Sequence, residues 1–184
     1  MKASVYIAAS LDGFIARTNG GLDWLPGGEG EVTGEDYGYG KFMDSVDYLV
    51  MGRSTYEVVL GFGGKWPYGE KPVVVLSSRP VEIPERFANS VEWMSGPPND
   101  VTRRLAERGA SHLYIDGGRT IQGFLAAGLI QQLIITRVPV LIGNGIPLFG
   151  PLTHDIQLRH VETRSFANGL VQSRYEIAGQ EVPI

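Results

Sequence analysis

The sequence predicts an α/β domain of three layers, a mixed and mainly parallel sheet between two sets of helices, with an antiparallel hairpin at its C-terminal end. Short apolar, β-branched runs alternate with segments carrying helix signals, the pattern of parallel strands joined by crossover helices. The end of the chain changes to alternation around Asn168-Gly169, a strong hairpin signal. The length of 184 residues, with 43% hydrophobic and 20% charged positions, suits one domain with a full core, so a single domain over residues 1–184 is expected.

Each element has its own signal. Residues 5–9 (VYIAA) have few polar interruptions, as in a strand buried on both faces. Residues 11–34 are rich in Gly, Asp and Asn, carry Pro26, and read as a long loop, a length that compact domains use for function or motion. A helix over 36–45 follows, with Tyr37, Phe42 and Met43 as apolar contacts. Residues 46–51 form the second strand, and Gly52-Arg53-Ser54-Thr55 leads into a short helix that Ser54 or Thr55 would cap. Residues 72–77 (PVVVLS) and 90–94 are further strands, and a helix over 98–108 has Asn99 or Asp100 as its cap. Strand 112–115 turns at Gly117-Gly118 into a helix over 119–127 closed by Gly128. Strand 133–138 and the hairpin of 156–166 with 170–177 complete the chain.

Composition narrows the function. Lys plus Arg number 16 and Asp plus Glu 20, a formal net charge of −4, with no block of like charge, so neither nucleic acid nor an anionic membrane is an expected partner. There is no cysteine, hence no disulfide or thiolate chemistry, and the cytoplasm is the expected compartment. The N-terminal apolar stretch is too short and too polar for a signal peptide or a membrane span. His112, His154 and His160 are scattered, and no metal site is expected.

Three strand-to-helix turns stand out: Met51-Gly52-Arg53-Ser54-Thr55-Tyr56-Glu57, Leu76-Ser77-Ser78-Arg79, and Asp116-Gly117-Gly118-Arg119-Thr120. Each places small residues, hydroxyls and an arginine past the C-terminal end of a predicted strand, the edge where open α/β sheets bind ligands. Helix N-termini offer free N–H groups, glycines let backbone come close, and arginines add charge-assisted forks, a set suited to a polyphosphate. Any one of these turns alone is also an ordinary cap, loop or tight turn.

In order, Ser10-Leu11-Asp12-Gly13 and then these three turns resemble the dihydrofolate reductase superfamily. The stretch PVLIGNGIPLF, residues 139–149, resembles the reductase domain of riboflavin biosynthesis enzymes, the RibD C-terminal domain family. The resemblance implies the dihydrofolate reductase-like fold and an NADPH-dependent reductase passing hydride to a C=N or C=O group of a small pyrimidine or pterin-type heterocycle. Named candidates are dihydrofolate and 5-amino-6-(5-phosphoribosylamino)uracil; a nucleotide-binding protein without catalysis is the alternative from another class. It places Ala9 and Ile15 by the nicotinamide and Gly52, Arg53, Ser54 and Thr55 at the pyrophosphate and adenosine side. Ser77, Ser78 and Arg79 would meet the 2′-phosphate, and Gly117, Gly118, Arg119 and Thr120 would close over the pyrophosphate. The 11–34 segment would act as a lid.

Hydride transfer needs a nearby proton source, and the resemblance puts Asp36 in that role; the other reading of Asp36 is a solvated acid in a helix's first turn. Asp12 reads as a turn residue. Trp24 would stack on a flat substrate or pin the lid, and Asp116 would contact the substrate. The chain departs from the riboflavin-pathway reductases it resembles at Tyr6, where they usually carry lysine, and at Asp116, where they usually carry glutamate. The apolar run of Val138, Val140, Leu141, Ile142, Ile146, Leu148 and Phe149, with the relatives' habit of pairing through terminal strands, points to a homodimer. The other possibility is that the terminal hairpin covers this run within one chain.

Overall fold

The computed structural model describes residues 1–26, 34–63 and 66–179. Strand β1 (Lys2–Ser10) lies near the middle of an eight-stranded sheet, as its apolar composition requires. The chain continues through β2 (Phe14–Ala16), α1 (Tyr39–Ser45), β3 (Tyr48–Gly52), α2 (Arg53–Gly61), β4 (Val73–Leu76), β5 (Val91–Met94) and α3 (Pro98–Glu107). It ends with β6 (His112–Asp116), α4 (Gly118–Ala126), β7 (Gln132–Val138), β8 (Ile146–Pro147), β9 (Leu158–Ser165) and β10 (Val171–Ile177). The order across the sheet is β5-β4-β3-β6-β1-β7-β10-β9, and every pair from β5 to β7 is parallel. β10 runs antiparallel to both β7 and β9.

Two apolar clusters fill the spaces on either side of the sheet. One joins Val101 and Leu105 of α3 and Ile121 and Phe124 of α4 to Val5, Val50, Leu113, Ile115 and Leu133. The other joins Phe42 of α1 and Tyr56 of α2 to Leu49, Met51, Val73, Val75 and Tyr114. Successive strand residues thus alternate between two buried faces, which is why these strands read as continuous apolar runs.

The departures from expectation have local causes. The segment 11–34 contains a strand: β2 pairs with β8 in a separate two-stranded sheet. Three residues carry too little periodicity to announce a strand whose partner lies some 130 positions later. The 27–33 part of that expected lid lies outside the described residues. Helix α1 begins at Tyr39, three residues after the expected start, because Asp36 stands before it as an acceptor for the Gly38 and Gly40 N–H groups at 2.8 and 3.1 Å. Neither Ser54 nor Thr55 caps α2, which starts at Arg53 with Gly52 in the cap position; Pro97, not Asn99 or Asp100, occupies that position in α3. Pro98 at the first turn supplies the preset φ there.

The predicted closure of α4 by Gly128 holds: its φ of 68° is the left-handed conformation that glycine adopts freely. The terminal hairpin turns at Phe166 to Leu170, with Gly169 at φ 84°. By pairing with β7, β10 covers that strand's open edge within one chain. The remaining edge at this end, β9, is blunted by Arg159, His160, Glu162 and Arg164.

Candidate functional site

β1, β3, β4 and β6 are parallel, so their C-terminal ends, Ser10, Gly52, Leu76 and Asp116, share one edge of the sheet. The turns singled out in the sequence leave from this edge. In register Gly52 sits beside Leu76, and Met51 beside Asp116. The turn after β3 meets the turn after β6 through two reciprocal glycine–threonine contacts. A Cβ on Gly52 would lie 2.9 Å from Thr120 Oγ1, and a Cβ on Gly117 would collide with Thr55 Oγ1. A side chain at Gly52 would crowd the Thr120 hydroxyl and one at Gly117 would have to displace the Thr55 side chain; Gly117 also has φ 86°.

Ile15 joins the same cluster from β2: its Cδ1 lies 3.2 Å from the position of a Cβ on Gly118, with Pro147 O at 3.0 Å. Gly117 and Gly118 are buried, Thr55 and Thr120 are half-buried, and Arg53, Ser54 and Arg119 are exposed around them. Arg53 Nε is engaged by Glu57 at 2.6 Å across one helical turn, whereas Arg79 and Arg119 make no ion pair among the described residues. In the β4 turn, half-buried Ser77 accepts the Arg79 N–H at 3.1 Å, and Ser78 and Arg79 are exposed. Trp93 of β5, unmarked by sequence reasoning, donates its indole N–H to the Ser77 carbonyl at 2.9 Å and braces this turn.

Ala9, Asp36 and Asp116 stand in three different environments. The Ala9 side chain is fully buried in the core cluster on the α3–α4 side, and half-buried Ala8 points to the opposite face. Asp36 is exposed, and the Gly38 and Gly40 N–H groups hold its carboxyl below the usual carboxylate range, the reverse of what a proton donor needs. Asp116 has the opposite environment. It is half-buried at the end of β6, on the same face as Tyr114; it accepts the Gly117 N–H at 2.8 Å, and burial pushes its carboxyl up to about 6. Its charge adds to burial in raising the phenol of Tyr39 to about 12 and that of Tyr68 as well. Trp24 is half-buried, and its indole N–H has no partner among the described residues.

Asp12 proves more than a turn residue. Its carboxylate accepts the Ser10 hydroxyl at 2.5 Å and, from the distant 139–149 stretch, the Gly143 and Ile142 N–H groups at 2.7 and 3.3 Å. Leu11 N–H to Val140 O and Leu148 N–H to Gly13 O, at 2.9 and 3.0 Å, complete the clamp. The two motifs, far apart in sequence, are therefore one structural unit that holds β2 and β8 against the first turn of α4. Among the described residues no group of His, Asp and Glu side chains is arranged to hold a metal ion. No helix among them is long and apolar enough to cross a membrane.

A fold of this strand order belongs to the dihydrofolate reductase-like class, and residues 2–172 match the RibD C-terminal domain. The chain is a member of the RibD C-terminal domain family. It is 37% identical over 175 residues to the uncharacterised protein YwjB of Bacillus subtilis strain 168, covering 95% of this chain and 97% of that one. A putative riboflavin biosynthesis protein from Shewanella sp. PV-4, solved by crystallography, is 40% identical, with a TM-score of 0.86 over 96% of this chain and 99% of its own. The dihydrofolate reductase of Enterococcus faecalis, solved with NADP(H) bound, shares the fold: TM-score 0.64 and 17% identity over 96% of each chain.

Proposed function

We propose that this chain is an NADPH-dependent oxidoreductase that passes hydride to a C=N or C=O group of a small heterocycle of the pyrimidine or pterin type. The reciprocal packing of Gly52 on Thr120 and of Gly117 on Thr55 carries this reading, because it draws two helix N-termini together on one sheet edge. A pyrophosphate across these turns would meet free N–H groups and the hydroxyls of Ser54, Thr55 and Thr120, with Arg53 and Arg119 beside it. Ser77, Ser78 and Arg79, one strand away, suit a 2′-phosphate. Ile15 of β2 and the backbone at the end of β1 suit the nicotinamide end.

The proton that follows hydride comes best from Asp116. A carboxyl with a pKa of about 6 is in part protonated near neutrality, and it stands at the C-terminal end of β6 between the two turns. Asp36, exposed and acidic, accepts the Gly38 and Gly40 N–H groups ahead of α1, whose cap position is Gly38. Trp24 remains a candidate for stacking on the substrate, and the protein works in the cytoplasm as a homodimer.

The test follows NADPH absorbance with the riboflavin-pathway aminopyrimidine 5-amino-6-(5-phosphoribosylamino)uracil, simpler aminopyrimidines and dihydrofolate as acceptors. Oxidation with one of them, together with stabilisation of about 2.7 kcal/mol at NADPH a hundred times its Kd, is expected. NADPH binding without turnover across the panel would favour a nucleotide-binding role; no NADPH binding would overturn the reading.

A further inference from the structure

A groove of about 240 Å³ lies between α1 and the strands β1, β7, β10 and β9. Tyr6, Phe42 and Ile134 give it an aromatic and apolar floor. Around that floor stand Lys2 of β1, Lys41 of α1, Arg164 of β9 and Arg174 of β10, with Glu162 the one carboxylate in the lining. Four cations against one acid is a local excess of positive charge in a chain whose net charge is −4.

The single acid is shared. Glu162 lies 3.3 Å from Arg164 NH2 and 3.4 Å from Arg174 Nε, and the buried Arg174 Nε still has no hydrogen-bond partner. Burial and the Arg174 guanidinium both depress the Lys2 ammonium, with Glu176 acting in the other direction. Cations gathered on one partly exposed face repel one another, and an anion among them relieves that repulsion.

The groove is set apart from the cofactor edge. It runs from Lys2 and Gln132 at the starts of β1 and β7 up to Tyr6 and Gln172, the latter in register with Thr136 and Ala8, whereas the turns leave from Ser10 and Asp116. Between them stands a polar wall: the Tyr6 hydroxyl donates to the Tyr37 carbonyl at 2.9 Å and accepts from Gln172 Nε2 at 3.1 Å, and Gln172 also reaches Thr136 Oγ1 at 3.1 Å.

We propose that this groove binds a small organic anion, with a flat aromatic or heterocyclic body on Tyr6 and Phe42 and a phosphate or carboxylate held by Arg164 and Arg174. A second copy of the same face is a poor occupant, because a two-fold axis would set this positive patch against itself. The test is calorimetric titration and thermal melting with uridine monophosphate, orotate and neutral uridine, with and without excess NADPH. Uridine monophosphate and orotate should bind at least roughly ten-fold tighter than uridine and raise Tm, unaffected by NADPH. Arg164→Gln and Arg174→Gln should each weaken the anions about ten-fold. Both variants should keep a wild-type circular dichroism spectrum, and Arg79→Ala should bind the anions as wild type does. The proposal is overturned if neither anion binds, if uridine binds equally well, if NADPH or Arg79→Ala abolishes the effect, or if both groove variants bind as wild type does.

Discussion

At Asp116 a half-buried carboxyl has one backbone N–H for compensation, so its ionised form is costly. Its folded pKa of about 6 lies above the ordinary value near 3.8, so its contribution to stability is fully present below about pH 4 and is lost as pH rises through 6. Asp116→Asn should flatten that part of the stability–pH curve and add about 1–3 kcal/mol at pH 7, read by urea unfolding across pH. The same variant should slow hydride transfer while NADPH affinity holds, and wild-type turnover should fall as pH rises through about 6. Unchanged turnover in the variant would remove Asp116 from the chemistry. Asp36→Asn keeps an acceptor for Gly38 and Gly40, so both melting temperature and turnover should stay near wild type; a selective loss of turnover would restore Asp36 as the acid. Arg79 makes no ion pair among the described residues, and Arg79→Ala should weaken NADPH about 10- to 100-fold in a binding titration while NADH changes little.

At the scale of elements, the strands and helices of the parallel part were legible because burial on both faces writes itself as apolar runs, and Gly128 and Asn168-Gly169 mark real stops. What escaped was long-range. β2 and β8 are too short to carry a period, and the Asp12 clamp on Gly143 joins positions that no local pattern links. The site was legible as a set of turns, since hydroxyls, glycines and arginines past strand ends are read directly. Which face a residue takes was not: Ala9 and Ala8 differ only by the phase of one strand, and Asp36 and Asp116 only by what surrounds them. The apolar run at 138–149 divides the same way. Leu148 is 1% exposed in the core, whereas Leu141 is 70% exposed. Leu148→Glu therefore tests folding and should yield insoluble protein. Leu141→Glu should keep the fold and shift a homodimer of about twice 20.1 kDa towards the monomer in light scattering. A wild-type monomer at micromolar concentration would end the dimer proposal.

Across the whole molecule, the strand order sets a timetable for synthesis. Among the described strands β1 is made before the others, yet it lies between β6 and β7, pairing Lys2 with His112 and Ser4 with Gln132. At about 5–20 residues per second, roughly 5–20 s of translation separate this strand from either neighbour. Through that interval an apolar segment with both hydrogen-bonding edges open has no native partner. The nascent chain is thus a natural client for holding chaperones, and yield of soluble protein should depend on translation rate and temperature more than the stability of the finished fold would suggest.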